Sequence, residues 1–459
     1  MNYRSIYIWA FCVLAFAKAY SQEVTTIDSN RFTLEQAIAH GLENNYQAIN
    51  AKRNIAKALK QKWETTATGL PQVNAGVDYS YNIKTPVLVL PAQFIDPSAT
   101  PGSFTAFPAA PRQSAKLNAT LTQLIFDGSY IVALEASKTF LDFSKNANNK
   151  TKLEVRKGII NAYGGVLLTQ ENINIIERNL ETLTKNLNEI TKIFENGLAE
   201  EEDVEQLKIT KSQLENQLKS ARRQEDIAMD MLKLALGIDL QKSVYLEEDL
   251  ASLALKNMDP AINKNTLELE KNTDFQIAIN FTEQRRLEYK LERAKALPTL
   301  GGFVNYGIQS FGEDFVFFDG DNPWFGQSVA GLSLSVPIFS SLGRQAKTAR
   351  AKIAWEQAIT DLDRTTEEIR LNYQTSLNNY QIAIDNYSTS RDNLRLAERI
   401  ENKNLIKFRE GLATSFDLRQ AQTQLYSTQT TYLQSMYDVI KEKANLETIL
   451  NTPEFTTQK

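Results

Sequence analysis

The 459-residue chain has one cysteine and one histidine. Neither a disulfide framework nor a cluster of soft metal ligands can be built from them. There is no glycine-rich phosphate-binding loop, so nucleotide hydrolysis is not expected. Beyond the first two dozen residues, no apolar run approaches the roughly 20 residues of a spanning helix. No basic cluster stands out, and a net charge of -4 argues against nucleic acid as the main partner. A hydrophobic share of 42% with 23% charged residues is not that of a disordered chain. The lone His40 lies in an amphipathic helical stretch, where a packed or solvated role is expected. No catalytic constellation is visible, and no enzyme, cofactor or metal site is expected.

The N-terminus has Arg4, an apolar stretch from Ile6 to Ala17, and then small residues. This reads as an export leader over 1–21, cleaved before Gln22. Cys12 falls within it beside Trp9-Ala10-Phe11, bulky neighbours unsuited to lipoprotein processing. The mature chain is expected to be cysteine-free and unacylated, with no disulfide to stabilise it.

The most informative feature is a repetition. Phe194-Glu-Asn-Gly197-Leu198-Ala199, followed by Asp203-Val204, returns as Phe408-Arg-Glu-Gly411-Leu412-Ala413, followed by Asp417-Leu418, at a constant offset of 214 residues (194 to 408). Each copy reads as a helix end, a glycine stop and a helix start between two long helical stretches.

The flanking sequence repeats as well. A helix is expected from Phe32 to about Thr68, opened by the capping box Thr33…Gln36 and closed by Gly69-Leu70-Pro71. The period then falls from about 3.6 to 2, with Val73, Ala75, Val77, Tyr79, Tyr81 and Ile83 alternating with polar residues, as in a two-faced strand. A loop follows carrying Pro86, Pro91, Pro97, Pro101, Pro108 and Pro111, then a second strand over 115–126. Helices are expected at about 129–196, bent where Gly164-Gly165 falls, and at 200–236. At 1.5 Å per residue the first would measure on the order of 100 Å if straight. An irregular linker, 237–262, separates this first repeat (22–236, strand pair 71–126, tip near 197) from a second (263–459, strand pair 298–339, tip near 411). The second has a helix at 263–296 ended by Leu297-Pro298, strands carrying Leu300, Val304, Tyr306 and Leu332, Leu334, an aromatic loop at 311–325, and helices at 343–410 and 414–450. Both post-tip helices carry apolar residues at alternating steps of 3 and 4, a left-handed coiled-coil seam.

Four strands cannot close a barrel, and two-faced strands with open edges invite aggregation. Apolar residues alternating with small polar ones suit a membrane barrel with a lipid face and a polar lumen. Several chains sharing one barrel is the economical solution.

These residues resemble the TolC-type outer-membrane efflux proteins. The likeness rests on Phe32-Thr33-Leu34-Glu35-Gln36-Ala37-Ile38 with Asn44-Asn45, on the two Leu-Pro junctions and on the paired Gly-Leu-Ala…Asp tips, and it covers the mature chain in order. It implies an internally duplicated membrane β-barrel plus long α-helical barrel, with four strands and about six helices per chain and a homotrimer forming one pore. It further implies an exit duct in the outer membrane whose helical body enters the periplasm, docked to a periplasmic adaptor and driven by an inner-membrane pump or ABC transporter. Glu202, Asp203, Phe408 and Asp417 are the expected gate. Gly197, Leu198, Ala199, Gly411, Leu412 and Ala413 are the expected docking tip. Ala413 and Gln420 stand where some members carry a basic residue and a second acid, so the salt-bridge latch of those members is in doubt here. Both aspartates also fit a plain helix-capping role. The competing reading is a periplasmic coiled-coil adaptor or scaffold without a pore.

Overall fold

The computed structural model describes residues 31–258, 266–453 and 455. The expected leader, with Cys12, and residues 259–265 lie outside the described residues. In chain order the elements are β1 (Arg31–Phe32), α1 (Leu34–Asn44), α2 (Tyr46–Ala67), β2 (Gln72–Tyr81), β3 (Val87–Pro91), β4 (Phe104–Pro108), β5 (Gln113–Asp127), α3 (Gly128–Glu195), α4 (Glu201–Leu236), β6 (Tyr245–Leu246), α5 (Leu250–Lys256), α6 (Thr273–Ala294), β7 (Thr299–Gly312), β8 (Trp324–Ser335), α7 (Gly343–Arg409) and α8 (Ser415–Ile449). They form two compact units, one within 1–45, 156–259 and 382–444, the other within 46–155, 260–381 and 445–459. Each unit draws segments from both halves of the sequence.

The second unit holds an antiparallel sheet in the order β2-β5-β7-β8. Its register aligns the alternation of all four strands. Val73, Leu121, Val304 and Ala330 form one cross-strand row, and Val77, Leu117, Ile308 and Gly326 another. The intervening rows are mostly polar or small: Asn74, Thr120 and Asn305 in one, Gly76, Asn118, Gly307 and Gln327 in another. Val329 of β8 completes the first, however, and Phe303 and Phe325 fall in other rows of the same parity. Asn305 Nδ2 donates to Thr120 Oγ1 at 2.6 Å within that polar face. One residue of slip would send each apolar row to the opposite face, so the pattern fixes the register. A bulge between Leu124 and Phe126 interrupts it where β5 runs into α3. The helices of this unit are tied by Lys150 to Asp274 at 2.6 Å and by Asn272. Asn272 caps α6, its Oδ1 accepting from the Asp274 and Phe275 amides, while its Nδ2 donates to the Ile449 carbonyl.

The proline-rich stretch is more ordered than its composition suggests. Instead of a plain loop, β3 and β4 pair as a short antiparallel ribbon from Val87↔Pro108 to Pro91↔Phe104. Both prolines sit at a ladder end, where a missing N–H costs least.

In the first unit, Thr33 and Gln36 form the expected capping box, with Thr33 N–H to Gln36 Oε1 at 3.0 Å and Gln36 N–H to Thr33 Oγ1 at 3.3 Å. The helix it opens stops at Asn45, which is extended (ψ 135) and donates its side-chain Nδ2 to the Ala235 carbonyl at 2.8 Å. The single helix expected over 32–68 is therefore two. Gly237 ends α4 at φ +72, and a Cβ there would lie 2.2 Å from the Asn44 carbonyl oxygen. The linker expected to be irregular is also built in. β6 pairs parallel with β1, Glu248 accepts the Leu34 amide at 2.8 Å, and α5 follows. These two departures raise the expected six helices to eight among the described residues. Gly164 does not break α3. It lets the Tyr437 ring approach to 3.2 Å from where a Cβ would stand. Tyr163 beside it is fully buried and donates its hydroxyl to the Phe32 carbonyl at 3.0 Å. Burial pushes its pKa up to about 12.

Candidate gate and docking tips

The two tips share their backbone bonding. At the first, the Gly197 amide donates to Phe194 O at 2.8 Å and the Leu198 amide to Ile193 O at 3.0 Å. At the second, Gly411 donates to Phe408 O at 3.0 Å and Leu412 to Lys407 O at 2.7 Å. This is the helix stop in which a left-handed residue lets two amides reach back to the last orphan carbonyls. Gly197 and Gly411 adopt φ +77 and +72, a region that costs other residues about 1–2 kcal/mol. A Cβ at either would touch nothing, so backbone conformation alone selects glycine. The residue after such a stop commonly folds onto the helix. Here Leu198 and Leu412 stay 80% and 76% exposed, while Ala199 and Ala413 are half-buried.

The caps differ. At the second tip, the Thr414 amide and hydroxyl both donate to Asp417 Oδ2, at 3.0 and 2.7 Å, and the Asp417 amide donates back to Thr414 Oγ1 at 3.2 Å. The Thr414 hydroxyl, and then its amide, hold the exposed Asp417 carboxyl below its ordinary value. At the first tip, the Glu200 amide reaches Asp203 Oδ2 at 3.4 Å. Glu202 is exposed and accepts from Gln206 Nε2 at 2.9 Å. Both aspartates therefore cap helices. Phe408 is half-buried, packed on the apolar seam that joins α3 to α4 through Leu183, Leu187, Ile190, Val204 and Leu207. Within one chain it is a packing residue.

Several polar residues near the tips escaped the sequence reading. Arg409 forms an ion pair with Glu189 at 2.9 Å and lies 3.5 Å from Asn186 Oδ1, joining α7 to α3. Further from the tips, Asn179 of α3 donates to Gln429 of α8 at 2.8 Å, and the Ser390 hydroxyl of α7 meets that of Ser435 on α8 at 2.7 Å. Glu401 is half-buried. Burial pushes its carboxyl up, against the opposing hydrogen bond of Gln422 and the charge of Arg409. The pKa of Tyr426, half-buried near Glu401, is raised by burial first and by that carboxylate second. The only available signal was weak: polar residues such as Gln422 adjoining the α8 seam beside Ala421. Pairing Arg409 with Glu189 needed the fold.

His40 packs its ring 5.3 Å from Phe32 and sits 3.4 Å from Asn44 Nδ2. Partial burial lowers its pKa. No group of three or more His, Cys, Asp or Glu suited to a metal ion occurs among the described residues. No helix among them is long and apolar enough to cross a membrane.

Residues 266–452 match the outer membrane efflux protein family. The alkaline protease secretion protein AprF of Pseudomonas aeruginosa is 24% identical over 294 residues, 63% of this chain and 59% of that protein's length. The chain thus spans less than two thirds of that relative. The fold is similar to that of CusC, in structures concerned with folding and transmembrane channel formation, at TM-score 0.72 and 16% identity over 91% of each chain. It is also similar to that of the outer membrane protein VceC from Vibrio cholerae, at TM-score 0.69 and 16% identity over 91% of this chain and 95% of that one. Residues 266–452 therefore carry the family's sequence pattern, and the described chain shares the fold of the TolC-type structures CusC and VceC.

Proposed function

From a chain of TolC-type channel fold as premise, we propose an outer-membrane exit duct of a tripartite efflux or type I secretion system. One observation carries the reading: a four-stranded sheet with an exposed apolar face and two unpaired edges, β2 and β8. Val73, Val77, Leu332 and Leu334 are 64–73% exposed, and covering each would gain about 1.5–3 kcal/mol. Lipid satisfies that face but not the edges, since every unpaired backbone group in hydrocarbon costs several kcal/mol. Joining β8 of one copy to β2 of the next removes both edges. Three copies give twelve strands, with the row of Asn118, Gly307 and Gln327 facing a polar lumen and the long helices continuing as a periplasmic α-barrel. On this reading the chain is two structural repeats, 22–236 and 263–459, joined at 237–262.

The tips then form the periplasmic end. In a three-fold ring, Glu202, Asp203 and Asp417 would each become a triad of acids favouring cations, and Phe408 packing with the Arg409–Glu189 pair would hold the helices closed. Gly197, Leu198, Ala199, Gly411, Leu412 and Ala413 would dock a periplasmic adaptor coupled to an inner-membrane pump. The exposed Leu198 and Leu412 support this, being apolar groups without an intrachain partner surface. The protein carries no catalysis in this scheme. Native electrophoresis after gentle extraction, followed by planar-bilayer conductance, tests it. A trimer conducting in discrete steps is expected. A soluble monomer that leaves membranes in salt would instead point to a non-pore adaptor.

A further inference from the structure

The apolar face of the sheet does not stop where the strands end. The register places Phe126 beside Leu300 and Leu300 beside Leu334, on the face that carries Leu332. Phe126 also lines a groove of about 670 Å³ between the start of α3 and the end of α6, with Ile131 and Leu297 adding apolar walls that are 55% and 46% exposed. The rest of its lining is largely aromatic and basic. Tyr289 and Trp355 stack at 6.0 Å and 15°, and Arg286, Lys290 and Arg293 also line it.

The charges do not balance. Glu135 takes both Lys290 and Arg286, and Glu283 takes Arg286 again. Arg293 instead lies 5.7 Å from the Tyr289 ring centroid and meets no carboxylate among the described residues. Three cations thus face two acids, with the unmatched one above an apolar slot. Going away from the sheet along α6, the lining passes from Leu297 just beyond the helix end to Arg293, then Lys290 and Tyr289, and then Arg286. An apolar wall running into Tyr, Trp, Arg and Lys is suited to the boundary between acyl chains and headgroups.

We propose that this groove binds an anionic glycerophospholipid of the periplasmic leaflet, its acyl chain along Phe126, Ile131 and Leu297 and its phosphate at Arg293. The proposal rests on the membrane reading above, because the sheet must be embedded for the groove to meet lipid. The continuity of the groove with the sheet's apolar face and the surplus cation choose this occupant over a soluble anion, which has no use for the apolar slot.

The test uses the full chain in nanodiscs containing equal phosphatidylglycerol and phosphatidylcholine, with the lipid retained after release counted by native mass spectrometry. One basic side chain near the headgroup level corresponds to about a fivefold preference for the anionic lipid. Arg293→Gln should bring the ratio close to one. Arg293→Lys should keep most of it, and Arg395→Gln, remote in sequence near the second tip, should not change it. An unchanged ratio in Arg293→Gln, or none in the parent, overturns the site while leaving the duct intact. Failure of the parent chain to enter nanodiscs removes the membrane reading and the lipid site with it.

Discussion

The two tips are alike in backbone and unlike in charge. Both stop a long helix with a glycine near φ +75 and return the same two amides to the same two carbonyls, 214 residues apart (193 to 407). Yet Asp417 is held by three hydrogen bonds from and to Thr414, whereas Asp203 receives one long bond from Glu200. Phe408 lies against the seam of the first hairpin, and Arg409 next to it reaches Glu189 of that hairpin. The difference teaches that the repeated glycines specify the turn, while neighbouring side chains decide how firmly each tip is tied. A symmetric ring built from such chains would have alternating tight and loose corners.

The comparison can be broken most severely at the shared element. Gly411→Pro cannot adopt φ +72, because the proline ring fixes φ near −65°. Loss of export with trimer assembly intact is expected, read by drug efflux or protein export and by native electrophoresis. Normal export would remove the tip from docking. Gly197→Ala and Gly411→Ala should each cost about 1–2 kcal/mol, nearly equally, because a Cβ meets nothing at either site. Unequal losses in thermal unfolding would show that the tips differ in backbone after all.

The next test separates the caps. Thr414→Ala should cost about 1 kcal/mol of stability, more than Glu200→Ala, in denaturant unfolding. In bilayer recordings, Asp203→Asn with Asp417→Asn should move cation preference toward unity. Unchanged selectivity would leave both aspartates as caps alone.

Two acids near the second tip have opposite pH signatures. Asp417 is depressed, so its contribution is full above the ordinary 3.8 and is lost as pH falls through the lower folded value. Glu401 is raised by burial, so stability associated with its neutral form is full below 4.5 and declines as pH rises through the folded value. Glu401→Gln should therefore flatten the decline above pH 4.5, and Asp417→Asn the loss below 3.8, in stability profiles measured across that range. The smallest effect is expected from Arg409→Ala. Its half-exposed pair with Glu189 is worth at most about 1 kcal/mol, so unfolding should barely change while spontaneous opening events become more frequent.

Much of this architecture was legible because it rests on periodicity. Val73, Leu117, Val304 and Leu332 declared a two-faced sheet through a period of two, and Gly197 and Gly411 declared helix stops through their context. The break at Asn45 was not legible, since it depends on Ala235 accepting its side chain and on Gly237 making room beside Asn44. The ribbon at 87–91 and 104–108 was hidden by prolines that read locally as loop, although they sit harmlessly at its ends. At the tips, glycine and cap positions were visible, but the partners of Phe408, Arg409 and Glu401 lie on other helices. No local pattern announces such pairings.

The open edges of the sheet bear also on inheritance. If strands β2 and β8 are completed only by other copies, a chain with a damaged β8 spoils every ring it enters, including those whose other members are sound. Co-expressed with the intact protein, such a variant is expected to act dominantly. A chain damaged at a step before strand pairing is expected to be recessive, because it never reaches a ring to poison.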